Sequence, residues 1–150
     1  MWSQLKKWSH YANDHKGFVI GFCGEDMINS EFYGKGAKVS YSESFPNIDP
    51  MSEDLNKSAF IETHTKAEQW HYEKEFRFAK TYYPKAPLEK DRVIKFSDDV
   101  IEEIILGCDA DEETISAIVK LAKEKGIKNI YQTVKIPFRF ELDRIPVDIK

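Results

Sequence analysis

The most constraining stretch of the chain is DADEETISAIVKLAKEKG, residues 109–126. Asp109 and Glu112 stand at capping-box spacing and Gly126 is a natural stop, so the spacing predicts a helix over Asp109–Lys125. Ile115, Ile118, Val119 and Ala122 recur at i, i+3, i+4 and i+7, which gives that helix a single apolar stripe. Such a helix has to lay its stripe on a second apolar layer. The flanking segments supply one: Val100–Leu106 and Asn129–Ile136 read as strands, and Phe138–Leu142 alternates again after Pro137.

The N-terminal half alternates in the same manner. Residues 2–12 carry Leu5, Trp8, Tyr11 and Ala12 at helical spacing, and the following Asn13–Gly17 breaks the helix, with Gly17 expected in a left-handed turn. FVIGFCG, from Phe18, reads as a buried strand with Phe18, Ile20 and Phe22 on one face. Residues 24–36 read as a loop with a helical turn over Met27–Phe32, Ala37–Ser42 as a strand, and Ser52–Gln69 as a helix capped by Ser52 or Asp54. Residues 73–82 and Arg92–Phe96 complete the expected strands. The predicted class is α+β: a mixed, mainly antiparallel sheet with helices packed on one side. A length of 150 residues predicts one domain.

Charge narrows the partners. The net charge of −4 argues against general nucleic-acid binding, which needs a basic face to displace phosphate counterions. The acid is concentrated: nine carboxylates against three lysines between Ser97 and Lys125 give that stretch −6, leaving about +2 for the remainder, where an anionic ligand is expected. No apolar run approaches membrane-spanning length, the N-terminus lacks the apolar core of a signal peptide, and Cys23 and Cys108 fit no metal or redox spacing. A reduced, cytoplasmic protein is expected.

Two stretches gather residue types that do chemistry. In WHYEKEFR, residues 70–77, strand periodicity would place His71, Glu73, Glu75 and Arg77 on one face and Tyr72, Lys74 and Phe76 on the other. Two carboxylates that close raise one another's pKa unless a cation neutralises them, and Arg77 stands at the spacing to do so. Such a pair is either a solvated strand face or an acid/base and ligand-holding site framed by Trp70 and Tyr72. In WSHYANDHKGF, residues 8–18, His10 and Tyr11 are the candidates. His10 and His15 miss the i, i+4 spacing of helical metal ligands, and with His64 and His71 they form no metal motif. YGKGAK, residues 33–38, is no phosphate-binding loop, and no GxSxG elbow is present.

These motifs carry a resemblance. Trp8, Ser9, His10, Tyr11, Ala12, His15, Gly17 and Phe18, then Val39 and Tyr41, then Lys66, Trp70, Tyr72, Glu73, Glu75 and Arg77, then Ile104, Ile105 and Gly107 occur in the order that marks the bacterial domain-of-unknown-function family numbered 2971, which this chain resembles. Typical members look longer, with strands and an Asn-Asp-Pro turn ahead of WSHYA. The resemblance therefore implies that residues 1–150 correspond to the C-terminal portion of a longer family domain, with an apolar surface left for a second copy to cover. A looser likeness is to ADP-ribosyltransferases, in which the second glutamate of a Glu-x-Glu strand holds the nicotinamide ribose. It implies NAD as cofactor, Glu75 in that role and Glu73 acting on the acceptor. It departs in that His10 and Tyr11 are adjacent, whereas those enzymes take the equivalent pair from separate strands.

Two functional expectations follow. One is an enzyme or enzyme fragment for a nucleotide- or sugar-bearing ligand, with Glu73, Glu75 and His10 catalytic and Tyr11, Trp70, Tyr72, Arg77 and Lys66 binding. The other is a non-catalytic binding or scaffold module in which the same residues make a structural polar network. A toxin or phage-defence setting is a third expectation, about context rather than chemistry.

Overall fold

The structure is a computed structural model that describes residues 4–29, 34–49, 51–80, 82, 85–94 and 96–148. In chain order its elements are α1 (Leu5–Tyr11), β1 (Phe18–Phe22), α2 (Gly24–Asn29), β2 (Lys35–Lys38), β3 (Ser40–Ser42), α3 (Leu55–Thr63), β4 (Thr65–Ala67), a 3-10 helix (Glu68–Glu73), β5 (Phe76–Ala79), two short 3-10 turns (Glu89–Arg92 and Asp98–Val100), β6 (Ile101–Leu106), α4 (Glu112–Lys125), β7 (Ile130–Lys135) and β8 (Leu142–Pro146). The chain divides into two compact units: Met1–Gly24 with Phe96–Lys150, and Glu25–Lys95.

The first unit is a four-stranded sheet ordered β1-β6-β7-β8. β1 runs antiparallel to β6, β6 parallel to β7, and β7 antiparallel to β8, so the class expected from the sequence is the one observed. α4 is the crossover that a parallel β6–β7 pair requires. Its predicted stripe does the expected packing: Ile118 and Ala122 are buried with Ile104, Leu106, Ile127 and Ile130, and Ile115 and Val119 pack beside them. Helices cover both faces of the sheet rather than one, because side chains alternate along β6. Ile104 and Leu106 meet α4, whereas Ile105 packs in a separate cluster with Trp8, Ala12 and Leu142.

Caps and turns refine the expected boundaries. Asp111, not the Asp109–Glu112 pair, caps α4 by accepting from the Thr114 N–H at 2.7 Å, and Asp109 is instead drawn to Lys135 Nζ on β7 at 3.0 Å. Gly126 ends the helix at φ 72°, a conformation costly for any residue with a Cβ. After α1 the left-handed residues are Asn13, Asp14 and His15, not Gly17. This turn grips the loop after β6: Asp109 N–H donates to His15 O at 3.1 Å and Gly107 N–H to Gly17 O at 2.8 Å. A Cβ on Gly107 would collide with His15 O, so the close approach needs glycine. The strand expected at Phe138–Leu142 lies later, at Leu142–Pro146, because residues 136–141 form the turn between β7 and β8.

The second unit holds two small sheets, β2 antiparallel to β5 and β3 parallel to β4. The strand expected over Ala37–Ser42 is split at Val39, whose N–H donates to Glu75 O at 3.0 Å. α3 begins where Asp54 accepts from the Lys57 N–H at 2.9 Å, but ends at Thr63 rather than Gln69. Thr63 and Thr65 turn their hydroxyls onto the carbonyls of Ala59 and Ile61, competing with the helix at its end. Of the strand expected over 73–82, residues Phe76–Ala79 are strand and Thr81 lies outside the described residues. The strand expected at Arg92–Phe96 is absent among the described residues there, and Lys95 lies outside them. So do Ser30, Glu31 and Phe32 of the expected Met27–Phe32 turn, Tyr33 of the glycine-rich stretch, and Trp2 and Ser3 of the first helix.

Candidate functional site

The WHYEKEFR stretch is not one strand. Glu68–Glu73 winds as a 3-10 helix, Lys74 takes the left-handed conformation at φ 45°, and extended backbone resumes only at Phe76. Strand alternation therefore cannot be what brings Glu73, Glu75 and Arg77 together, yet they do belong to one cluster. Lys66, from β4, reaches both carboxylates: its Nζ lies 2.5 Å from Glu73 Oε2 and 3.4 Å from Glu75 Oε2. Arg77 grips Glu75 with two bonds, Nε to Oε1 at 2.6 Å and Nη2 to Oε2 at 2.8 Å, the fork geometry that suits a carboxylate. Its third arm, Nη1, donates to Thr63 O at the end of α3.

Burial and charge set the properties of the cluster. Glu73 is only 4% exposed, and a carboxylate at that depth is held by pairing and hydrogen bonding. The Arg77 guanidinium, aided by Lys66, holds the Glu75 carboxyl below its ordinary range, and the Glu75 carboxylate in turn raises Arg77. Glu75 is thus a stabilised anion and a correspondingly weaker base than a free carboxylate. Its backbone N–H donates to Tyr41 Oη at 2.8 Å, and the Tyr41 ring meets His71 edge-on at 5.0 Å. Lys66 Nζ stands 4.9 Å from the Trp70 ring centroid, and Trp70 and Tyr72 lie 6.1 Å apart, tilted.

Residues 7–78 match the family model described as Protein of unknown function (DUF2971). The DUF2971 match starts within α1, takes in β1 of the first unit and ends within β5 of the second, before Ile104, Ile105 and Gly107. No curated protein and no solved structure matches the chain.

Of the expected site residues within the DUF2971 match, Lys66, Trp70, Tyr72, Glu73, Glu75 and Arg77 stand in the second unit, and His10 and Tyr11 in the first. The latter two rings meet edge-on at 6.2 Å, with Tyr11 63% exposed while Trp8 and Ala12 carry the packing of α1. No group of histidine, cysteine, aspartate and glutamate suited to a metal ion occurs among the described residues.

Two participants escaped the sequence reading as site residues. Tyr41 was visible only as part of a strand motif, 34 positions from its partner Glu75. His64 is buried, stacked 4.1 Å from the Phe60 ring, with Nε2 3.1 Å from Arg77 O and Nδ1 3.0 Å from Thr63 Oγ1. A carbonyl only accepts, so Nε2 carries the hydrogen; the Thr63 hydroxyl beside Nδ1 donates its own hydrogen to Ala59 O. Beside this histidine a cavity of about 450 Å³ opens, lined by residues of α3 and the end of β5.

Proposed function

We propose that this chain is a non-catalytic binding module, and that Lys66, Glu73, Glu75 and Arg77 form the polar frame that holds its ligand-binding unit in shape. The single observation that carries this reading is that both carboxylates are already satisfied: Glu73 by Lys66, and both oxygens of Glu75 by Arg77, with Lys66 beside them. A general base needs a carboxylate poised to take a proton, and a ribose-holding glutamate needs a free oxygen. The depressed pKa of Glu75 and its two-point grip by Arg77 weigh against both roles.

The expected ligand remains a nucleotide- or sugar-bearing small molecule, and the acidic net charge favours that class over nucleic acid. The proposed setting is a bacterial cytoplasm. Cys23 and Cys108 are free thiols, and no helix among the described residues is long and apolar enough to cross a membrane.

The test sets Glu75→Gln against the wild-type chain in thermal melting and in incubation with NAD. A structural frame lowers the melting temperature of the variant and leaves NAD intact with either protein. NAD consumption by the wild-type chain, abolished by Glu75→Gln at unchanged melting temperature, would replace this reading with the ADP-ribosyltransferase-like enzyme. A phage-defence setting is tested separately, by phage challenge of cells with and without the gene.

A further inference from the structure

We propose that the cavity between α3 and the end of β5 binds a phosphorylated small molecule bearing a planar ring, with the phosphate between Lys57 and Lys80 and the ring laid on Phe60. The assignment deepens the binding role proposed above and rests on it. The cavity, of about 450 Å³, falls in the size range of small-ligand sites. Lys57, Lys80, Asn56, Phe60, Thr63 and His64 all line it.

Charge complementarity argues for an anion. Lys66 and Arg77 of the same unit are engaged by carboxylates, whereas Lys57 and Lys80 have no ion pair among the described residues. Lys80 Nζ stands 5.7 Å from the Tyr82 ring centroid, a contact that does not neutralise its charge. The lining also holds one carboxylate, Asp54, which caps α3 through the Lys57 N–H, so the two lysines leave the lining with a net positive charge. That bond takes up the Lys57 N–H, and the Lys57 and Lys80 ammonium groups with the Asn56 amide are the lining side chains suited to hold a phosphate.

The second half of the ligand follows from Phe60. Its ring is backed by the His64 imidazole at 4.1 Å and 14° between planes, yet Phe60 remains 41% exposed. His64 is held through Nε2 by Arg77 O, with Nδ1 lying 3.0 Å from Thr63 Oγ1. Arg77 is in turn fixed by Glu75 and Thr63 O. The polar frame thus continues without a break into the aromatic platform, and a platform rigid before binding loses little freedom when a ring stacks on it.

Calorimetric titration of the full chain with AMP, ribose 5-phosphate, adenosine and NAD tests the assignment. AMP should bind best. Adenosine should bind weakly and without regard to the lysines, and Phe60→Leu should weaken AMP more than ribose 5-phosphate. The Lys57→Ala/Lys80→Ala variant changes exposed side chains and should melt as the wild type does, while AMP affinity falls by about tenfold or more and loses its salt dependence. AMP binding that is unchanged in the double lysine variant overturns the pocket assignment and leaves the binding role standing. No heat from any of the four compounds at millimolar concentration overturns both.

Discussion

Among the described residues, the buried side chains of the first unit are Trp8, Ala12, Ile104, Ile105, Leu106, Ile118, Ala122, Ile127, Ile130 and Leu142, with Thr133 the one polar member; those of the second are Val39, His64 and Glu73. The first is held by hydrocarbon, whose burial is non-directional and roughly proportional to area. In the second, directed contacts join the buried Glu73 and His64 to Lys66, Glu75, Arg77 and Thr63. One chain therefore carries two answers to the entropy of folding. They should differ in how they respond to truncation, salt and acid.

Truncation separates them most. Leu106→Ala removes a fully buried side chain that packs under α4 and should cost about 3 kcal/mol, measured by urea denaturation followed through tryptophan fluorescence, with little dependence on salt. A cost below about 1 kcal/mol would mean that the hydrocarbon core contributes less than the comparison assumes. Gly107→Ala should come next, at about 2 kcal/mol, because the new methyl group meets His15 O and the turn after α1 must shift.

The ionic unit should give smaller losses. Glu73→Gln removes the carboxylate nearest Lys66 while Glu75 stays within 3.4 Å of the same ammonium, so about 1–2 kcal/mol is expected. If the loss matched Leu106→Ala and did not change with salt, Glu73 would be acting as a packed core residue and the contrast would fail. Lys66→Met on the same readout sharpens the point, since it leaves two carboxylates without the cation they share.

Acid gives the finest distinction. The Glu75 carboxyl in the folded chain titrates below its ordinary value of 4.5, so the unfolded chain takes up that proton first as the pH falls. The stability due to this group is complete above about pH 4.5 and is lost as the pH drops through the lower folded value. Asp109 and Asp111 are depressed for similar reasons in the first unit, by Lys135 and by the N–H and hydroxyl of Thr114, from an ordinary value of 3.8. The second unit should thus begin to loosen at a higher pH, and melting curves of Glu75→Gln between pH 3 and 6 should lack that early limb.

The contrast also explains what could be read from the amino acids. The stripe Ile115, Ile118, Val119 and Ala122 announces α4, and the flanking apolar runs announce β6 and β7, since hydrocarbon periodicity reports directly on a hydrocarbon core. The second unit offers little such periodicity. WHYEKEFR alternates like a strand, yet its first half is a 3-10 helix and Lys74 is left-handed, so Glu73 and Glu75 meet through Lys66 rather than through strand geometry. Tyr41 and His64 join that network across 34 and 13 positions, by single hydrogen bonds that no local pattern encodes.

The antiparallel pairing of β1 with β6 joins Phe18 to Leu106, and the whole of Glu25–Lys95 lies between them. During synthesis β1 leaves the ribosome long before the strand that will receive it, and a nascent chain carrying only the DUF2971 match has no β6 to offer. Early self-assembly of the inserted unit would draw the two distant strands closer before they zip, turning a long search into a short one.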